Sequence, residues 1–257
     1  MSITIPVFMF HAISNDGLVV DADPHYAIDV NDYANFIAYL QSKNIRVNSL
    51  RNLLSNSSVD DASVAFTFDD GHETNYTLAY PLLKDNGFSA DFFINTAFVG
   101  DKGYMNWNQI EEMNNNNMSI QSHGHHHYYF DEISENIIKD ELSTSKKTIE
   151  DKLGSEVTIF APPGGRITDK VRAIAAELGY KAISTSRPGT WNHNNRSDNI
   201  PRLPVLKSTS GEVLQGWANA DRLHIYKPVA KYYATYAAKQ LLGNSFYDKI
   251  RKNLLGG

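Results

Sequence analysis

The stretch that decides the fold is Val64 to Gly71, VAFTFDDG, in which a short apolar run leads directly into two aspartates and a glycine. Such a run has the length and composition of a buried strand, and the charged residues mark its carboxyl end. Two other strand-like runs end in the same way: Met118 to Ser122 leads into SHGHHH, and Val157 to Phe160 leads into PPGG. The sequence therefore predicts buried strands whose carboxyl ends carry polar, glycine-containing motifs.

Strand-like runs alternate with helical patterns from Ile5 to about residue 206. The helical patterns include Val30 to Lys43, Val47 to Leu54 and Thr77 to Asn86. This alternation is typical of a parallel sheet with crossover helices. At this chain length we predict an α/β fold, a distorted (β/α)7-type barrel. The carboxyl ends of the strands share one face of such a barrel, and that face carries the active site.

The alternation stops near Ser208, so we predict a catalytic domain over residues 1–207 and a basic, largely helical C-terminal extension over residues 208–257. Pro228 to Leu255 has a helical pattern in which basic residues outnumber acidic ones and tyrosines are interleaved. One interpretation is a solvated helix packed on the barrel. The other is a surface that makes peripheral contact with an anionic membrane or a lipid-linked substrate.

Composition excludes several classes of protein. The 257 residues include no cysteine, which rules out disulfides and thiolate metal ligands, and the net charge of -5 gives no reason to expect nucleic-acid binding. No apolar run is long enough to suggest a transmembrane helix. Because the first residues lack a basic segment followed by an apolar one, we expect a cytoplasmic protein, with the inner face of the membrane as its possible contact.

The polar motifs contain the side chains that a metal site needs. His123 and His127 lie four residues apart, and Asp69 and Asp70 end a neighbouring strand. Two imidazoles and one carboxylate make a ligand set that leaves metal positions open for water and substrate. Adjacent side chains of an extended segment point in different directions, so one aspartate can bind the metal while the other acts as a base. The alternative is a solvent-exposed histidine-rich turn beside an ordinary DDG turn.

These motifs resemble those of a known family. Ala65 to Gly71 matches the TFDDG signature of the polysaccharide deacetylases, also called the NodB-homology domain or carbohydrate esterase family 4. Ser122 to His127 resembles the second motif of that family, and Phe160 to Gly165 resembles the third, which forms one wall of a substrate groove. The resemblance covers roughly residues 5–206 in the expected order.

The resemblance implies a hydrolase that removes an N-acetyl group from an amino sugar, here a precursor or intermediate of a cell-surface polysaccharide. It implies that Asp69 is the catalytic base and that Asp70, His123 and His127 hold one divalent metal ion, with zinc the expected one. The residues expected to contact the saccharide substrate are Gly71, Pro163, Gly164, Gly165 and Arg166.

The general acid is expected to be His11. Phe8 to His11 is similar to the opening strand of the circularly rearranged deacetylases that act on poly-N-acetylglucosamine, in which that histidine has the acid role. Leu223 and His224 match the letters of the usual L-x-H motif and are the alternative.

The chain departs from the family pattern in two places. The third motif usually begins with an arginine that pairs with the catalytic base, but position 161 is Ala161. Arg166 and Arg187 are the candidates to replace that charge. The Asp-Trp pair of the fourth motif is absent, although Trp191 is near the right region. Further aromatic residues that could stack on sugar rings are Trp107, Tyr104 and Tyr128.

Two other functions fit the same motifs. The site could cleave a formyl group or a cyclic amide instead of an acetamide. The loss of arginine at Ala161 also leaves open a non-catalytic sugar-binding module.

Overall fold

The computed structural model describes residues 4–17, 19, 21–55, 62–194 and 197–242. In chain order the strands are β1 (Thr4–Phe10), β2 (Ile13–Ser14), β3 (Ile28–Asp29), β4 (Arg46–Asn48), β5 (Ser63–Phe68), β6 (Asp91–Ile94), β7 (Ser119–Ser122), β8 (Ile159–Phe160), β9 (Ala182–Ile183), β10 (Thr190–Asn192) and β11 (Leu203–Pro204). The α-helices are α1 (Val30–Ser42), α2 (Leu50–Ser55), α3 (Tyr80–Asp85), α4 (Trp107–Asn115), α5 (Glu135–Leu153), α6 (Asp169–Glu177), α7 (Gly211–Ala218) and α8 (Arg222–Leu242).

Seven of the eight parallel strands in one curled sheet follow the order β11, β1, β5, β6, β7, β8 and β9, and the eighth is β4. In the centre of this sheet, Phe10 lies opposite Phe68 on the neighbouring strand. The short strand β4 pairs with the start of β5, and β10 runs antiparallel to β1. The predicted α/β fold of the distorted (β/α)7 type is confirmed.

A short segment near residue 200 joins the two edges of the sheet. The backbone N–H of Ile200 donates to the carbonyl of Ile183, at the end of β9. A few residues later, Leu203 pairs with Phe8 on β1, and the N–H of Val205 donates to the carbonyl of Met9. This segment therefore lies between β9 and β1, and it carries Ile200 into the smaller apolar cluster inside the barrel.

The alternation of side chains along β5 divides the core. Val64, Phe66 and Phe68 pack against the helices, where the ring of Phe68 stacks on Phe92 with 4.8 Å between the ring centroids. Ala65 faces the opposite way, into a smaller apolar cluster inside the barrel. Successive strand residues point to opposite faces, so Thr67 lies on the same side as Ala65. The same alternation, continued beyond the end of β5, directs Asp69 toward the interior.

Two predicted helices differ from the structure. The helix predicted from Val47 begins only at Leu50, because Arg46 to Asn48 pairs with β5 as strand β4. The helix predicted from Thr77 begins as a π-helical turn over Asn75–Ala79 and continues as α3. The start of α6 follows the sequence pattern: the side chain of Thr168 accepts the N–H of Val171 and caps the helix.

The C-terminal part begins with helix α7, which lies within the predicted, largely helical extension but before Pro228, where the helical pattern was located. The apolar side of α7 places Leu214 and Trp217 in the main core, where the Trp217 ring packs against Phe8. Helix α8 follows and exposes several large side chains. Among the described residues, no helix combines the length and apolarity that crossing a membrane requires. Residues 243–257 of the predicted extension lie outside the described residues, and the boundary at 207 stays a prediction.

Candidate active site

Three side chains from two strand ends converge on one point. Nε2 of His123 and Nε2 of His127 each lie 3.3 Å from Oδ1 of Asp70. One ligand atom from each of the three residues falls within 4.8 Å of the others. Asp70 and His127 both have positive φ angles, 76° and 60°, a conformation that residues other than glycine rarely adopt.

The same three residues pass a test for divalent-cation binding. Oδ1 of Asp70 is buried, and its contacts with the two imidazoles do not have hydrogen-bond geometry, so this atom has no hydrogen-bond partner among the described residues. Nδ1 of His123 donates to the backbone carbonyl of Ala161 over 2.7 Å, which leaves the lone pair of Nε2 directed at the common point. A histidine ligand held by a carbonyl in this way is usual in metal sites.

The charges of this group depend on one another. Burial acts to raise the pKa of Asp70, but contacts with His123 and His127 outweigh burial and hold that pKa well below its usual range. Burial acts to lower the pKa of His127, whereas Asp70 and then Asp69 raise it, with a net increase. Asp70 is therefore ionised at neutral pH, as a metal ligand must be.

Asp69 is held by a buried arginine. Nη1 of Arg202 donates to Oδ1 of Asp69 over 2.6 Å, and Nη2 donates to Oδ2 over 2.8 Å. Nη1 also donates to the hydroxyl of Thr67, and Nε donates to the carbonyl of Thr185. Burial acts to raise the pKa of Asp69, but the charge and hydrogen bonds of Arg202, together with His123, lower it overall.

Arg202 corrects the expectation that Arg166 or Arg187 replaces the arginine missing at position 161. Arg166 instead pairs with Glu132 and Asp131 on the surface, while only the backbone carbonyl of Arg187 contacts Arg202. The missed signal was a lone arginine inside an otherwise apolar run, IPRLPV, over residues 200–205. An arginine in such a strand must be paired with an acid when it is buried.

His11 lies in the same cavity as the aspartates, at the end of β1. Its Nδ1 is buried without a hydrogen-bond partner among the described residues, and its ring packs on Tyr26 with 4.6 Å between centroids. Burial lowers the pKa of His11, against Asp70 and Asp69, which raise it. His224, the alternative acid, lies in α8, bonded to Asp221, and is not among the described residues that line the cavity.

The cavity over this site has a volume of about 570 Å³, within the usual range for ligand pockets. It contains His11, Asp69, Asp70, His123 and His127 together. Its other walls include Met9, Ala12, Asp21, Asp23, Tyr26, His72, Tyr104, Tyr129, Gly164, Ser186, Pro204 and Leu206.

The residues expected to contact substrate lie at different depths. Of Gly71, Pro163, Gly164, Gly165 and Arg166, only Gly164 lines the cavity among the described residues. A Cβ at Gly71 would lie 3.1 Å from the side chain of Ile94, and one at Gly165 would lie 2.7 Å from the backbone of Ser186. Gly71 and Gly165 therefore do not line the cavity; they allow the backbone to pack closely against Ile94 and Ser186.

The aromatic residues divide in the same way. Tyr104 lines the cavity, together with two tyrosines that the sequence pattern had not indicated, Tyr26 and Tyr129. Tyr128 stacks on His126 outside it. Trp191 lies on β10, buried inside the barrel, so it does not take the place of the missing fourth motif at the cavity.

Comparisons with known proteins agree with this geometry. Residues 56–183 match the family model described as polysaccharide deacetylase. The Bacillus subtilis protein YxkH is 25% identical over 211 residues, which cover 80% of this chain and 73% of that protein. The poly-beta-1,6-N-acetyl-D-glucosamine N-deacetylase of Staphylococcus aureus is 23% identical and covers 75% of this chain and 72% of its own length.

A solved structure extends the match to most of the fold. The Streptococcus pyogenes deacetylase PplD, in complex with acetate, superimposes with a TM-score of 0.76 at 25% identity. The match covers 84% of this chain and 98% of that chain. The sequence motifs, the barrel and the family model agree, and the chain belongs to the polysaccharide deacetylase family.

Proposed function

We propose that this protein removes the acetyl group from N-acetylated amino-sugar units of a saccharide, with one divalent metal ion, zinc, held by Asp70, His123 and His127. The observation that carries the proposal is the position of Asp69. This carboxylate is held by Arg202, directly follows the buried strand β5, and shares one cavity with the three candidate ligands and His11. Relatives named as a peptidoglycan-N-acetylglucosamine deacetylase and as a poly-beta-1,6-N-acetyl-D-glucosamine N-deacetylase support the same chemistry.

When bound, a divalent cation supplies Lewis acidity, which lowers the pKa of a coordinated water toward neutrality and polarises the acyl carbonyl. Asp69 takes a proton from the attacking water. Its lowered pKa keeps it ionised, and the two bonds from Arg202 fix the plane of its carboxylate while leaving lone pairs on both oxygens as acceptors.

The ring of His11 supplies the proton that the departing amine needs, since an amide anion is a poor leaving group. This ring lies in the cavity with the aspartates, and its contact with Tyr26 fixes its orientation. His224 has neither feature among its described contacts, because Asp221 holds its ring.

The charge of the cavity supports an uncharged saccharide as substrate. Four aspartates, Asp21, Asp23, Asp69 and Asp70, line the cavity, whereas its described lining residues include no lysine or arginine. A sugar linked to a diphosphate would bring negative charge toward these carboxylates, with no lysine or arginine among the described lining residues to pair with the phosphates. We therefore propose an oligosaccharide or polymer intermediate of a surface polysaccharide.

The proposal includes a peripheral contact of α8 with anionic lipid. Residues 222–242 contain four lysine or arginine residues and no acidic one, and Tyr226 and Tyr233 are exposed, as are Lys227 and Lys231. Basic residues next to exposed tyrosines favour the surface of an anionic membrane. Sedimentation with phosphatidylglycerol vesicles, but not with phosphatidylcholine vesicles, would test this contact, and Lys227→Glu with Lys231→Glu should abolish it. The cytoplasmic location stays a prediction.

Acetate release from N-acetylglucosamine oligomers of β-1,4 and β-1,6 linkage tests the main proposal. With added zinc, the wild-type protein should release acetate, and Asp69→Asn should lower kcat by at least about 100-fold because the base is lost. Asp140→Asn, an exposed position on α5, is the matched control and should retain the wild-type rate. Equal rates for Asp69→Asn and wild type would overturn the role of Asp69. Formate release in place of acetate, from N-formylated sugars, would instead support the alternative substrate.

A further inference from the structure

The two candidate histidine ligands are joined by a loop with an unusual backbone. Between His123 and His127 the chain has a positive φ of 83° at Gly124, and His127 itself has a φ of 60°. Residues other than glycine rarely adopt positive φ, so the surrounding structure must hold His127 in this conformation. The question is which side chain does so.

A buried carboxylate on α5 contacts this loop three times. Oε2 of Glu141 accepts the backbone N–H of His125 and that of His126, each over 2.8 Å. Oε1 of Glu141 accepts from Nδ1 of His126 over 2.6 Å. The residue is 4% exposed, although glutamate is almost never fully buried unless it is paired. Two successive N–H groups that converge on one anion form a backbone nest.

The two histidines are oriented by different means. Nδ1 of His123 donates directly to the carbonyl of Ala161. No corresponding partner of the His127 ring, other than Asp70, is found among the contacts of the described residues. The orientation of His127 therefore depends on the backbone that carries it, and Glu141 is bonded to the two N–H groups that immediately precede His127.

We propose that Glu141 is a positioning residue for the metal site, acting on His127 through the backbone of the loop. This inference rests on the proposed function, in which His127 is a metal ligand. A carboxylate suits this position because its negative charge faces the two N–H groups of the nest and both of its oxygens accept hydrogen bonds. A glutamine would keep one acceptor oxygen for the two N–H groups but would lose that charge, and its NH₂ group would face Nδ1 of His126, which accepts it only after a change of tautomer.

The experiment compares Glu141→Gln with Glu150→Gln. Glu150 lies on the same helix and also accepts a backbone N–H, that of Val157, but it does not contact the histidine loop. For each variant, zinc affinity is measured by competition with a chromophoric chelator, the cobalt-loaded protein is examined by visible absorption, and the melting temperature of the metal-free protein is recorded.

Glu141→Gln should weaken zinc binding by about 10- to 100-fold and change the cobalt absorption, since residues that orient ligands contribute to affinity on this scale. Glu150→Gln should change zinc affinity by less than about twofold, whatever its effect on melting. If Glu141→Gln does not fold, Glu141→Asp retains the charge but withdraws it from the loop, and it should weaken zinc binding in the same direction.

Zinc affinity and cobalt absorption equal to wild type in a folded Glu141→Gln or Glu141→Asp variant would overturn the positioning role. A wild-type protein that binds no divalent metal would overturn the proposed function itself, so the two failures are distinguishable.

Discussion

The guanidinium of Arg202 and the carboxylate of Asp69 face each other through two parallel hydrogen bonds of 2.6 and 2.8 Å, and both side chains are buried. The residues are separated by 133 positions in the sequence, because β5 supplies one and the segment that leads into β11 supplies the other. The pair therefore has two effects. It fixes the orientation of the candidate base, and it connects the segment before β11 with the end of β5.

We expect Arg202→Met to lower the free energy of unfolding by about 3–5 kcal/mol, because Asp69 would keep its buried position without a partner. Urea unfolding of the metal-free protein measures this change. Arg166→Met is the control, because Arg166 is on the surface and its ion pairs should contribute about 1 kcal/mol or less. Combining Arg202→Met with Asp69→Leu should restore part of the loss. An unfolding free energy of Arg202→Met that lies within about 1 kcal/mol of the wild-type value would contradict this account, because a surface ion pair already contributes that much.

We expect zinc to stabilise the wild-type protein but not His127→Ala. At a free zinc concentration about 100-fold above Kd, binding to the folded state alone adds about 2.7 kcal/mol to the unfolding free energy. His127 is partly exposed, so its removal should have little effect on the metal-free protein. The control is His193→Ala. Nε2 of His193 bonds to the carbonyl of Leu53 away from the cavity, so this variant should respond to zinc like wild type. Equal stabilisation of His127→Ala by zinc would remove this residue from the ligand set.

We expect His11→Ala to reduce kcat by about 100- to 10,000-fold, the usual contribution of a general acid, without loss of bound zinc. His224→Ala should retain the wild-type kcat, since Asp221 holds that ring outside the cavity. Steady-state rates of acetate release and zinc content by atomic absorption decide between the two histidines. A large loss of kcat in His224→Ala alone would reverse the assignment.

We expect the free energy of unfolding to depend on pH through Asp91, a residue that has no part in the proposed chemistry. Burial raises the pKa of Asp91 to about 7, against hydrogen bonds from Ser119 and from the N–H groups of Leu50 and Arg51, which lower it. Because the folded pKa is raised, the folded state keeps a proton that the unfolded chain releases. The stabilisation is complete below about pH 4 and is lost as the pH rises through about 7.

The loss should amount to a few kcal/mol, at about 1.4 kcal/mol for each pKa unit. Asp91→Asn cannot ionise but keeps an oxygen that accepts from Leu50, so its unfolding free energy should vary less between pH 5 and pH 7.5 than that of wild type. The difference between the two urea-unfolding series isolates Asp91 from other titrating groups. Parallel curves for the two proteins would show that its pKa is not raised.

The part of the site that sequence could predict is the part built on strand ends. Asp70 follows an apolar strand, His123 and His127 follow the run MSIQS, in which apolar and polar residues alternate, and parallel strands bring their carboxyl ends together. His11 follows from the same rule at the end of β1. The barrel itself could be predicted because its strands and helices alternate in order.

The rest depends on elements too short to carry a pattern. β10 and β11 contain only three and two residues, and β4 contains three, so a period of two cannot be recognised in them. Arg202 was missed for this reason, since no spacing rule connects it with Asp69. Helix α7 lies within the extension predicted to be largely helical, but its limits were not located because its sequence, GEVLQGWA, includes two glycines, which disfavour helix. The hydroxyl and carbonyl partners of Arg202, on Thr67 and Thr185, depend on the closed barrel and have no local signature.

The segment near residue 200 that connects β9 with β1 matters for truncated proteins and for the assignment of function from sequence motifs. The portion that matches the family model, residues 56–183, contains both aspartates and both histidines of the cation site, yet His11 precedes it and Arg202 follows it. A truncated homologue cut at those limits would retain each diagnostic motif while lacking the histidine that we propose as the proton donor and the arginine that holds the candidate base. For a chain built like this one, intact motifs are therefore insufficient evidence of turnover, and the two flanks must be inspected as well.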